Sequence, residues 1–173
     1  MYNYSKNEIR DISTGYGGKY GVIYRSPINI KESFAYSREL MSHQIEAIES
    51  LNKYFNLSGK KNVQQNGLLV MPTGSGKTFT AVNWLLNSGV AYGYRILWLA
   101  HRQELIDQTN NEFRNQAPSL AKHGINKLRI IPISGMHLKM SQASRYDINI
   151  CSISSVANKY GYRFINSLLV WSI

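Results

Sequence analysis

The stretch Met71-Pro72-Thr73-Gly74-Ser75-Gly76-Lys77-Thr78 constrains this chain more than any other, because an apolar run, Leu68-Leu69-Val70, precedes it and a helix-like run follows from Thr78. Strand, glycine-rich turn and helix start, in that order, make a phosphate-binding loop. Backbone N–H groups and the positive end of a helix dipole face an anion there, and a lysine adds a mobile charge. Gly74 and Gly76 let the backbone approach phosphate oxygens with no Cβ in the way, and Thr73 and Ser75 complete the loop. Pro72 fixes the entering chain and has no N–H to leave unsatisfied. Lys77 is expected on the β- and γ-phosphates and Thr78 on Mg²⁺, which makes both catalytic candidates and ATP with Mg²⁺ the expected cofactors. The full pattern opens on Gly or Ala, where this chain has Met71. An ordinary glycine-rich turn with an exposed lysine is the plain alternative.

Such a loop needs a scaffold, and 173 residues with 43% hydrophobic content suit one globular domain. No apolar run of the ~18 residues that span a bilayer occurs, and Met-Tyr-Asn-Tyr-Ser-Lys lacks the apolar stretch of a signal peptide, so a cytoplasmic protein is expected. The net charge of +10 favours a polyanionic partner such as nucleic acid, or else a solvated basic surface. His43, His101, His123 and His137 show no metal-ligand spacing with one another or with the single cysteine. That cysteine, Cys151, sits in the apolar-alternating run Ile148-Asn149-Ile150-Cys151-Ser152-Ile153, where a small buried hydrophobe fits better than a nucleophile.

Residues 1–36 hold six of the twelve tyrosines and the run Gly15-Tyr16-Gly17-Gly18-Lys19-Tyr20-Gly21, and read as an N-terminal extension of turns and short strands. Residues 37–173 read as the main domain. Leu40, Ile45, Ile48, Leu51 and Phe55 recur at helical spacing over Ser37 to Phe55, and a polar loop from Leu57 to Asn66 feeds a strand at Gly67 to Val70. The helix after the phosphate loop is expected to end near Asn87-Ser88-Gly89. A buried strand follows at Arg95 to Ala100, a helix from Arg102 to Arg114, and strands at Leu128 to Ile133 and Ile148 to Ile153. Alternation of this kind predicts an α/β fold, a parallel sheet with helices on both faces. The final run, Ser167 to Ile173, is apolar with no cap or polar tail, and reads as a domain cut at its C-terminal side.

The order of these segments resembles the first RecA-like domain of superfamily 2 helicases and translocases. The group concerned includes DEAD/DEAH-like proteins and the motor subunits of restriction enzymes, among them the type III Res subunit. Leu40-Met41-Ser42-His43-Gln44 is similar to the family's Leu-Arg-Pro-His-Gln segment, with Met41 and Ser42 in place of arginine and proline. The resemblance makes Gln44 the adenine reader, and makes Met71 a tolerated opening of the family's first motif. Leu97 to Gln108 resembles the motif Ia segment, whose strand-to-helix turn touches nucleic-acid phosphates and here carries His101 and Arg102. Backbone N–H groups at a helix start, with an arginine, can grip a phosphate without reading bases, although Arg102 and Glu104 can equally decorate a helix terminus. Ser152-Ile153-Ser154-Ser155-Val156 resembles a later segment near the bound strand, which nominates Ser152 and Ser154, and also fits a plain N-cap.

The family's second motif, an apolar strand ending Asp-Glu, does not occur: the acids after the loop are Glu104, Asp107, Glu112 and Asp147. The resemblance therefore implies a nucleotide-binding N-terminal portion of a larger helicase or translocase, hydrolysing poorly by itself and needing a second RecA-like domain. DNA stands ahead of RNA as its partner. Two alternatives remain open: a phosphate-loop ATPase with a non-nucleic-acid partner, and a non-enzymatic basic nucleic-acid-binding module.

Overall fold

Parallel strands are buried on both faces, so a sheet of them needs two apolar layers, one made by the odd and one by the even residues of each strand. A computed structural model describes residues 27–32, 38–57, 66–133, 145–157 and 169–172, and shows this arrangement. Its elements in chain order are β1 (Ile28–Asn29), α1 (Ser42–Phe55), α2 (Lys77–Trp84), β2 (Ile96–Ala100), α3 (Gln103–Gln116), β3 (Lys127–Leu128), β4 (Ile130–Ile133), β5 (Ile148–Ser152), α4 (Ile153–Val156) and β6 (Leu169–Ser172). Strands β4, β5, β2 and β6 form one sheet in that order. All three of its pairings are parallel, with Ile96 opposite both Ile148 and Leu169, and Ile130 opposite Ile148.

One face of the sheet presents Ile96, Trp98, Ala100, Ile130, Ile148 and Ile150 to a core completed by Val82, Leu85 and Leu86 beyond the phosphate loop and by Ile106 and Phe113 of α3. Trp98 meets the Phe113 ring edge-on at 5.8 Å between centroids. The other face carries a smaller cluster of Leu97, Ile131, Ile133, Cys151 and Val156. Among the described residues the three longer helices share the first face, and the second is covered by the short helix α4 and by Tyr146. The architecture is the α/β, parallel-sheet type that the alternation predicts.

Several boundaries differ from the expected ones. The segment Gly67 to Val70 is not a strand: it has no ladder partner, and Leu68 and Val70 are 88% and 79% exposed. An apolar run becomes a strand only where a neighbour pairs with it, and here β6 occupies the place beside β2. Gly67 instead packs beside the Phe55 ring, and the Tyr54 hydroxyl donates to the Asn66 carbonyl at 2.7 Å.

Helix α1 begins at Ser42, since residues 38–41 are not helical; the Gln44 side chain accepts from the Met41 N–H at 3.0 Å and stops the helix from extending backwards. This entry turns Gln44 inward, at 1% exposure, and leaves Ile45 outside at 44%. The expected strand from Leu128 to Ile133 is broken at Arg129. Its N–H and guanidinium both bind the Asp147 carboxylate, and its carbonyl accepts from the N–H groups of Asp147 and Ile148. Ahead of that break, β3 pairs antiparallel with β1, and Ile30 is buried in the main core.

Helix α2 runs past the expected stop through a π turn at Leu85–Gly89 and a 3-10 turn at Val90–Tyr92, ending on Gly93 at φ 84°. Helix α3 extends to Gln116, two residues beyond expectation. Ile153 leaves the strand to open α4 and is 46% exposed. The terminal apolar run forms β6 along residues 169–172. Cys151 is buried, and burial pushes its thiol up to about 12, which keeps it protonated and unreactive. The expectations for residues 1–26, and for most of the polar loop before Asn66, lie outside the described residues.

Candidate functional site

The eight residues from Met71 fold into a tight loop held by its own backbone. Gly74 and Gly76 adopt φ of 79° and 82°, the left-handed region that costs other residues dear, so both glycines are conformational requirements. The Pro72 carbonyl accepts from the Ser75 N–H at 3.2 Å and from the Ser75 hydroxyl at 2.7 Å. Helix α2 starts immediately afterwards with Gly76 as its N-cap, and the Gly76 carbonyl is taken by the N–H and hydroxyl of Thr80. The first turn of α2 therefore directs its N–H groups into the loop, the arrangement that attracts an anion.

The Lys77 ammonium folds back over this loop and donates to the carbonyls of Met71 and Pro72, both at 3.1 Å. These two bonds hold a positive charge at the mouth of the loop, and a phosphate entering it would exchange carbonyl partners for charged oxygens. Thr78, next in the helix, is half-buried with its residue in the first turn.

Helix α1 clamps the loop from the other side. The Gln44 amide donates to the Ser75 carbonyl at 2.9 Å while its own oxygen accepts from Met41. His43 Nε2 lies 3.1 Å from the same Ser75 carbonyl, which can only accept, so Nε2 carries the proton. Three sequence-predicted elements, Gln44, the glycine loop and Lys77, are thus brought together. His43 was not predicted as part of the site, and its position next to Gln44 was the available signal. Arg38, also unforeseen, places its guanidinium 4.3 Å over the ring of Phe79 in the first turn of α2. A groove of about 750 Å³ between α1 and residues 66–72 is lined by His43, Leu51, Tyr54, Phe55 and Leu68 without Gly76 or Lys77, so it runs beside the loop.

The other predicted site residues stand at the C-terminal ends of two neighbouring strands. Ala100 and Ser152 are partners in the register of β2 and β5, so the turns that follow them emerge side by side. His101 and Arg102 are exposed, and Arg102 is the N-cap of α3 with no side-chain capping bond. Ser152 caps α4: its hydroxyl accepts from the Ser155 N–H at 3.2 Å and contacts the hydroxyls of Ser154 and Ser155. Ser154 is exposed. No group of three or more His, Cys, Asp or Glu side chains that could hold a metal ion occurs among the described residues.

Residues 37–167 match the family model described as type III restriction enzyme, res subunit. The chain belongs to this family. As a member of the Res-subunit family it carries the helicase-like, RecA-like α/β domain that the resemblance implied, and the phosphate loop lies inside the matched region. A 99-residue stretch is also 37% identical to the type I restriction enzyme EcoAI endonuclease subunit of Escherichia coli. That stretch is 56% of this Res-family chain and only 12% of the Escherichia coli protein. No solved structure matches the chain.

Proposed function

We propose that this chain is the ATP-binding portion of a nucleic-acid-dependent motor, a helicase or translocase of the kind that restriction enzymes use. The observation that carries the proposal is the loop itself: two left-handed glycines, a lysine poised on loop carbonyls, and a helix start, all clamped by Gln44 and His43.

The nucleoside triphosphate fits these residues. Backbone N–H groups at the start of α2 receive the phosphates, and Lys77 transfers its donors from the Met71 and Pro72 carbonyls to the β- and γ-oxygens. With one donor and one lone pair already used, the Gln44 amide retains one N–H and one lone pair, the pair of functions that an adenine edge at N6 and N7 requires. Mg²⁺, when bound, neutralises charge on the phosphates. Thr78 is the residue that would hold it, consistent with an ion that keeps several waters and substrate oxygens as ligands. The carboxylate and arginine that hydrolysis demands are assigned to the rest of the motor, including a second RecA-like domain, so this chain binds nucleotide and turns it over poorly.

The paired turns at His101-Arg102 and Ser152-Ser154 are proposed to contact the nucleic-acid backbone, with DNA favoured by the restriction-enzyme family. Ser152 would act through the turn it caps, since its hydroxyl is occupied. The net charge of +10 supports a polyanionic partner. Duplex DNA binding measured across salt tests this reading: log affinity should fall with log salt at a slope of about −0.9 per phosphate neutralised. Binding that is absent, or insensitive to salt, would remove nucleic acid from the proposal and leave a phosphate-loop ATPase with another partner.

A further inference from the structure

Arg38 belongs to no motif in the sequence, yet it reaches the phosphate loop. Its guanidinium lies over the Phe79 ring at 4.3 Å, and its Nη2 stands 3.8 Å from the point where a Cβ on Gly76 would sit. The Gln44 amide nitrogen approaches that same point at 2.6 Å. Arg38 and Gln44 thus converge on one spot beside the loop, on the side that α1 clamps. The ring beneath is rigidly placed: Phe79 is 3% exposed, in the first turn of α2. Arg38 itself is exposed, and no carboxylate among the described residues pairs with it.

We infer that Arg38 is a nucleotide-binding residue, its guanidinium plane serving as the platform on which the purine of the bound nucleotide stacks while Gln44 addresses the purine edge. The inference rests on the phosphate-loop reading above and deepens it. A guanidinium is flat, always charged and weakly hydrated, so it lies on aromatic faces on either side, and a ring on one face leaves the other for a base. Lys77 donates to the Met71 and Pro72 carbonyls, so this reading gives Lys77 the phosphates and Arg38 the base.

The test is calorimetric titration of the chain, its Arg38→Ala variant and its Arg38→Lys variant with ADP and, separately, with inorganic tripolyphosphate, which has no base. Both variants should weaken ADP about tenfold, the scale of one stacked base, and leave tripolyphosphate affinity unchanged. Unchanged tripolyphosphate binding also shows that the loop remains folded. The inference is overturned if ADP affinity is unaltered, if both ligands weaken equally, or if lysine restores ADP binding, because a point charge would then suffice. Failure of the unsubstituted chain to bind either ligand would instead count against the phosphate-loop reading.

Discussion

The turn from Met71 to Thr78 and the turn from Ala100 to Gln103 both deliver the chain into a helix, and they are built in opposite ways. Before the second lies β2, paired on both sides, with Ile96, Leu97, Trp98 and Ala100 at 0% exposure. No residue in that turn has a positive φ, and its N-cap makes no side-chain bond. Before the first lies a segment with no ladder partner and two largely exposed apolar residues. Yet the loop that follows is the better-determined turn, with two left-handed glycines, bonds onto Pro72 and a clamp from α1. A strand-to-helix turn can therefore be positioned from behind, by its sheet, or locally, by its own glycines and hydrogen bonds. The glycine loop uses the local route, and its shape exists with no paired strand before it.

If the second turn depends on its sheet, removing the buried side chain behind it should be the costliest change. Trp98→Ala is expected to destabilise the fold by about 3–5 kcal/mol, read by chemical denaturation, because it empties a site at 0% exposure against Phe113. A cost under about 1 kcal/mol would show that the sheet does not hold that turn.

The glycines probe the local route. Gly74→Ala should cost about 1–2 kcal/mol for the left-handed backbone alone, since nothing lies within 4 Å of an added Cβ. Gly76→Ala should cost more and weaken nucleotide binding, because its Cβ would meet the Gln44 nitrogen at 2.6 Å and push the clamp off Ser75. Equal effects of the two substitutions would mean that the clamp contributes nothing.

Smaller effects are expected at the exposed ends. Arg102→Ala should leave stability alone and reduce the salt slope of DNA binding by about one unit. Leu68→Ser should change stability by no more than about 0.5 kcal/mol, in keeping with its 88% exposure. A larger loss there would show that residues 67–70 are positioned by contacts beyond those described.

Much of this was legible in the sequence because it is local. Glycine spacing before a helix start encodes the loop, and apolar runs bounded by turns encode β2, β5 and α3. What the sequence hid is relational. Gly67 to Val70 has strand composition, but a strand needs a neighbour, and neighbours are set by topology. Asn149 is the polar member of the alternating run Ile148-Asn149-Ile150, a pattern that suits one buried and one solvated face, yet it is at 0% exposure because a parallel strand is covered on both sides. Gln44 and Ile45 exchange the environments that hydrophobicity assigns them, because the amide has partners at Met41 and Ser75 that only the folded chain supplies. Arg38 left no periodic or motif signal at all; its approach to Phe79 exists only in three dimensions.

The central claim is that Lys77 and the loop beneath it bind nucleotide. The direct measurement is calorimetric titration of MgATP into the chain and into its Lys77→Ala variant, with denaturation curves to establish that both are folded. Loss of a charged hydrogen-bond donor predicts a fall in affinity of about tenfold to a hundredfold with stability nearly unchanged. Equal MgATP affinity in the two proteins would contradict the account.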